Sequence, residues 1–212
     1  ARRRGYEYLG VTNHSPQVTI ARGIPSSVLL EQIEEIDRMN ERYPDITILK
    51  SSEVDILKDG SLDYPAEVLK YLDFTVCSIH YHQHLSREKQ TERVLRAMEN
   101  PYFTIFGHPT GRLINEREPY EIDLERIIEA AREMGCFLEL NANPDRMDLD
   151  DVYSKAAKEA GVMVAISTDA HSIFNLGYME MGINQARRGW LEPGNVLNCL
   201  GVEDLKKRLR RI

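Results

Sequence analysis

Residues 162–171 read Val-Met-Val-Ala-Ile-Ser-Thr-Asp-Ala-His. This is a short apolar run that stops at a carboxylate and an imidazole one residue apart. Its length and β-branched content predict a buried strand, which puts Asp169 and His171 just past the strand's C-terminal tip. The same arrangement recurs outward along the chain. YLGVTNH (8–14) ends at His14, ITILKSSEVDIL (46–57) carries Glu53 and Asp55, FTVCSIH (74–80) ends at His80, and FTIFGHP (103–109) closes on His108. A lone histidine at a strand end means little. An imidazole or carboxylate at one strand tip after another is how a (β/α) barrel gathers a metal site on its C-terminal face.

Between these runs lie helical patterns. Val28, Leu29, Ile33, Ile36 and Met39 recur at helical spacing after Pro25, with Ser26 or Ser27 as cap. Further helices are predicted at PAEVLKYL, SREKQTERVLRAMEN, LERIIEAAREMG (with Gly135 as C-cap) and DDVYSKAAKEAG, and CFLELNA adds a sixth strand. A last helical segment has the basic end Lys206-Lys207-Arg208-Leu209-Arg210-Arg211, read as a solvated face. Strand–helix alternation predicts an α/β fold with a parallel sheet. At 212 residues, with no linker or low-complexity tract, the chain reads as one domain, 1–212.

The net charge of −7 argues against broad nucleic-acid binding through the overall field. A nucleic-acid substrate stays compatible with it, because cations bound among clustered carboxylates reverse the local sign. The chain has no apolar stretch of membrane-spanning length, and its first residues, ARRRG, lack the apolar core of a signal peptide. Three widely spaced cysteines without a CxxC pair point to a reducing cytoplasm.

Carboxylate oxygen combined with imidazole nitrogen suits Zn²⁺, Mn²⁺ or Fe²⁺ better than Ca²⁺ or Mg²⁺. The predicted ligands are His14, Glu53, His80, His108, Asp169 and His171. Asp55 shares a face with Glu53 and is read first as a brace. His82 and His84 read as loop residues or as donors that back the ligands. Arg112, in GHPTGR, is a candidate phosphate clamp, because guanidinium matches phosphate oxygens bidentately. Asn141, Asn143 and Arg146 follow the fifth strand on the same face and are candidates to hold substrate or orient ligands.

In this order and spacing, TNHS, SSEVDIL, SIH, GHPTGR, LELNANPDRMDL and STDAHS resemble the PHP (polymerase and histidinol phosphatase) domains. The likeness is strongest to the domain at the C-terminus of bacterial family X DNA polymerases and covers nearly the whole chain. It implies a distorted seven-stranded (β/α) TIM-like barrel with two or three divalent metal ions on its top face. It also implies a Mn²⁺-dependent 3′–5′ exonuclease or 3′-end-processing activity in DNA repair, with an upstream polymerase region in a longer parent protein. Metals bridged by Glu53 and Asp169 would activate water for attack, with Arg112 steadying the phosphate. The family's first strand carries an H-x-H pair and a following aspartate. This chain starts after them, so six strands are expected here, and Asn13 stands where the family has aspartate beside its histidine. Two other readings stand beside this one: a phosphatase of small phosphomonoesters such as histidinol phosphate, and an inactive module bracing a polymerase.

Overall fold

The computed structural model describes residues 1–209. Six strands form one sheet in the order of the chain: β1 (Tyr8–His14), β2 (Thr47–Asp55), β3 (Phe74–Ser78), β4 (Ile105–Phe106), β5 (Phe137–Asn141) and β6 (Val164–Ser167). Every neighbouring pair is parallel, so each connection crosses back over the sheet. The crossovers contain α1 (Ser26–Arg42), α2 (Ala66–Leu69), α3 (Arg87–Met98), α4 (Leu124–Met134) and α5 (Asp151–Ala160). After β6 come α6 (Met179–Arg188) and α7 (Val202–Leu209).

The sheet curls into a half-barrel. Its two outermost strands bring His14 and His171 to within 6.5 Å between ring centroids at the strand C-terminal end. Strand alternation then divides the side chains into two sets. On the convex face, Val54, Ile56, Cys77, Ile79, Phe106, Leu138 and Leu140 pack against the helices in the larger core. On the concave face, Leu49, Val76, Ile105 and Phe137 meet Leu197, Leu205 and Leu209 in a second core. Leu205 and Leu209 belong to α7, so the last helix closes the floor of the curl. One or two steps further along the same face, the residues turn polar: Glu53, Ser78, Glu139 and Asn141, all buried. The apolar floor fixes the depth at which the polar layer begins.

The helices follow the sequence pattern with local differences. In α1, Leu29, Ile33 and Ile36 are buried, while Val28 lies on the exposed flank. Its cap is Pro25, with no side-chain cap bond, so Ser26 and Ser27 fall inside the first turn. Asp123 and Asp150 cap α4 and α5 with side-chain bonds to Arg126 N and Tyr153 N. Gly135 ends α4 in the left-handed conformation at φ 69°. Of the basic C-terminal run, Lys207 and Arg208 are exposed, and Arg210 and Arg211 lie outside the described residues. No helix among the described residues is long and apolar enough to cross a membrane.

Helix α6 was not marked by the sequence pattern, and a glycine lets it dock. A Cβ on Gly182 would stand 2.5 Å from Ile166 Cγ2 and 2.8 Å from Ala142 Cβ. Alanine normally stabilises a helix relative to glycine, but here there is no room for it. Gly182→Val should destabilise the protein by about 1–3 kcal/mol through overpacking, measured by urea unfolding. Unchanged stability would mean that α6 does not sit this close to β6.

Candidate metal centre

The hub is Glu53, buried on β2 and facing the concave side. Its Oε1 lies 3.0 Å from His108 Nε2 and 3.2 Å from His80 Nε2, and accepts a 2.7 Å hydrogen bond from Ser78 Oγ. Oε2 lies 3.5 Å from His14 Nδ1. The rings stack edge-on around it, with His14–His80 centroids at 5.0 Å and His80–His108 at 5.3 Å. Burial alone would raise the Glu53 carboxyl. The His108 and His80 hydrogen bonds overcome that and hold it well below its ordinary value.

His80 is held from behind. Asp55, two residues beyond Glu53 on the same face, accepts from His80 N at 3.0 Å and lies 3.0 Å from His80 Nδ1. This directs Nε2 at Glu53, the arrangement in which a carboxylate orients a metal-binding imidazole. Burial works to lower the His80 pKa, but the Asp55 and Glu53 contacts lift it to about 9. His14 is shifted the other way, lowered chiefly by burial.

A second group adjoins the first. Asn141 Nδ2 donates to Asp169 Oδ2 at 3.1 Å, and Arg146 Nε lies 3.3 Å from the same oxygen. Glu139 joins the two groups: its carboxylate accepts from His108 N and from Ser167 Oγ, and faces Asn141 Nδ2 at 3.4 Å. Burial pushes Glu139 up to about 7. His108 and Asp169 both have left-handed backbone, at φ 27° and 49°. A histidine and an aspartate there are uncommon, and such strain collects at functional sites.

The residues fit a divalent cation. Ligand atoms of His14, Glu53 and His80 lie within 4.8 Å of one another. His14 Nδ1 and His108 Nδ1 are buried without a hydrogen-bond partner, an arrangement that costs free energy unless something else takes the lone pair. Mixed nitrogen and oxygen donors suit Zn²⁺, Mn²⁺ or Fe²⁺.

The other expected residues fall as follows. His171 stands on the rim, its side chain 69% exposed, with Nδ1 2.9 Å from Asp169 O. His82 and His84 are exposed. Asn13 points outward and bonds Gln32 on α1 at 2.8 Å. Asn143 braces the loop after β5 by accepting from Asp145 N. Arg112 donates from Nε to Arg146 O at 2.7 Å and from Nη2 to Met147 O, so much of its fork is spent holding that loop. Arg146 keeps Nη1 buried and without a hydrogen-bond partner.

Two buried carboxylates escaped the sequence reading. Glu139 stands inside the run CFLELNA with the parity of Asn141, which was the signal for it. Asp148 accepts from Thr110 N, Thr110 Oγ and Gly111 N at 2.9–3.0 Å and so fixes the turn after His108. Nothing local marked it.

A parallel α/β half-barrel with histidines and carboxylates on its strand ends defines a metal-site barrel. No protein-family model matches the sequence. The chain is 42% identical over 209 residues to the DNA polymerase/3′-5′ exonuclease PolX of Bacillus subtilis (strain 168), a match covering 99% of this chain and 37% of that protein. It is 30% identical over 225 residues to a probable phosphatase of Thermoanaerobacter sp. (strain X514), covering 100% of this chain and 87% of that protein. The fold is similar to histidinol phosphate phosphatase from Lactococcus lactis subsp. lactis Il1403, complexed with zinc, L-histidinol and phosphate. That match has a TM-score of 0.55 at 18% identity and covers 87% of this chain and 83% of the other. The chain belongs to the PHP family.

Two pH effects follow. For His80 Nε2 to bind a cation, its proton must leave, so Zn²⁺ affinity should rise with pH up to about 9, by up to about tenfold per unit. Competition against a chromogenic chelator reads the slope, which His80→Ala should flatten. Glu139 has the opposite consequence for the metal-free fold. Between the ordinary carboxylate value of 4.5 and about 7, the native state keeps a proton that the unfolded state releases, so stability falls as pH rises. Glu139→Gln should therefore stabilise the chelator-treated protein at pH 8 relative to pH 5, by roughly 1–3 kcal/mol. Equal thermal shifts at both pH values would rule this out.

Proposed function

We propose that this chain is a metal-dependent phosphoesterase that hydrolyses the phosphodiester at a DNA 3′ end. The observation that carries the metal-dependent reading is the buried Glu53 carboxylate ringed by His14, His80 and His108. The identity to PolX supports the DNA substrate, and the chain spans 37% of that protein's length. A polymerase region attached in a longer chain, and cytoplasmic DNA repair as the setting, belong to the same proposal.

His14, Glu53 and His80 would hold one cation, with His108, Asp169 and His171 extending the site to two or three. Mn²⁺ or Zn²⁺ bound there would supply Lewis-acid activation of water and neutralise charge on the phosphate. The chain's own residues do the rest. Arg146 offers its unpaired Nη1 to a phosphate oxygen while Nε stays on Asp169. Arg112 holds the Arg146 and Met147 carbonyls, and so aims Arg146, with its remaining amine free to meet phosphate. Asn141 keeps Asp169 in place. Among the described residues β1 and β6 each have a single strand neighbour, which supports a seventh strand between them, carrying further ligands and closing the barrel.

The similarity to a probable phosphatase, 87% of whose length is matched, favours a second reading: hydrolysis of a small phosphomonoester. The test is Mn²⁺-dependent digestion of 5′-labelled DNA by the full-length protein, beside hydrolysis of histidinol phosphate. A 3′-to-5′ ladder reduced roughly 100-fold or more in Asp169→Ala, and weakened in Arg146→Ala mainly through KM, is the expected result. Turnover of histidinol phosphate without a ladder, by folded and metal-loaded protein, would replace the nuclease by the phosphatase.

A further inference from the structure

Arg93 lies on α3 and is 3% exposed, an unusual place for a guanidinium. Among the described residues no ion pair includes it. Its donors go to neutral acceptors instead: Nε to Leu57 O at 2.8 Å, Nη1 to Tyr81 O at 2.9 Å and to Gln90 Oε1 at 3.3 Å, and Nη2 to Ile56 O. Ile56 and Leu57 directly follow Asp55, and Tyr81 directly follows His80. One rigid fork therefore grips both chain segments immediately beyond the Asp55–His80 pair.

The grip falls where the sheet no longer holds the backbone. Strand β3 ends at Ser78, and its last paired residue faces Asp55. Ile56 N still reaches Ser78 O at 2.8 Å, and beyond that no ladder bond ties the two segments together. His80 lies in this region, and its 3.2 Å approach to Glu53 depends on where the backbone leaves the sheet. Burial lowers the Arg93 pKa, and Asp55 is the first of the charges that oppose this, so the guanidinium also offsets the negative charge behind His80.

We propose that Arg93 is a positioning residue for the metal centre: by clamping the carbonyls of Ile56, Leu57 and Tyr81, it fixes the Asp55–His80 pair against Glu53 before any cation binds. This rests on the metal-site reading above. Lysine at this position keeps the charge but loses the fork.

The test uses the full-length protein and Zn²⁺. In Arg93→Lys that is folded by circular dichroism, Zn²⁺ affinity should fall about tenfold, and the visible spectrum of the Co²⁺-substituted site should change. Arg96→Ala is the control, because Arg96 is exposed on the same helix and bonds Asp59 O on the same loop; it should leave affinity within about twofold. A purely structural role would lower the melting temperature and leave the affinity and Co²⁺ spectrum of the folded protein unchanged, which would overturn the proposal. Wild-type hydrogen exchange gives a second test should Arg93→Lys not fold. The amides of Ile56 and His80 should be as protected as core strand amides in chelator-treated protein, and protection gained only on adding Zn²⁺ would refute pre-positioning. A wild-type protein that binds no Zn²⁺ would instead overturn the metal-site reading itself.

Discussion

The burial of one carboxylate, Glu53, governs the top of this half-barrel. An ionised carboxylate taken out of water is very costly unless donors surround it. Ser78, His80 and His108 meet that need from β3 and β4, and His14 approaches from β1. Each supplier sits at or within two residues of a strand end, so the donors converge only if the sheet curls and its strands keep register. Glu53 faces Val76 and His14 in the ladder, so a slip of one residue would turn it to the apolar convex side. The carboxylate therefore enforces register, and the register assembles the site.

The site is also graded in depth. Along β2 the concave residues run Leu49, Ser51, Glu53, Asp55, and along β5 Phe137, Glu139, Asn141. The apolar end of each series rests on the Leu197, Leu205 and Leu209 floor. The polar end carries the candidate ligands and their braces. Cation binding at the upper level would relieve orphaned imidazole nitrogens, while the floor keeps water from reaching Glu53 from below. The apolar core and the candidate site thus occupy successive layers of the same strands.

Much of this was legible in the chain. All six strands, and the helices of the crossovers, follow from periodicity, because each strand is a short apolar run and each helix buries one stripe. The strand-tip residues were legible for the same reason, since a charged residue ending an apolar run has to face something. Glu139 was open to the same argument, but an unbroken CFLELNA conceals the parity that pairs it with Asn141. Arg93 and Asp148 left no local trace. Their roles come from contacts 12–38 residues distant in sequence, to carbonyls of Ile56, Leu57 and Tyr81 or to the turn at Thr110, and periodicity carries no information about such partners. Helix α6 was missed because Gly182 lets it approach β6 without a strong apolar stripe.

The braces around the site share a physical logic. The ladder fixes a residue only as far as its strand extends, and of the candidate ligands only His14 and Glu53 lie within strands, while His80, His108, Asp169 and His171 lie beyond strand ends. Beyond that point backbone carbonyls and amides need other partners. Arg93 supplies donors to the segments after β2 and β3, Arg112 to the segment after β5, and Asp148 accepts from the turn after β4. Glu139 accepts from the His108 amide itself. Burying an ionisable group is expensive, and Arg93, Asp148 and Glu139 are buried while Arg112 is partly so; at these four positions such groups end hydrogen bonds on otherwise unsupported backbone. A single neutral donor or acceptor could not span two loops at once. The fork of an arginine and the paired oxygens of a carboxylate can, which is why this polar layer is held by ionisable groups that themselves stand outside the candidate ligand set.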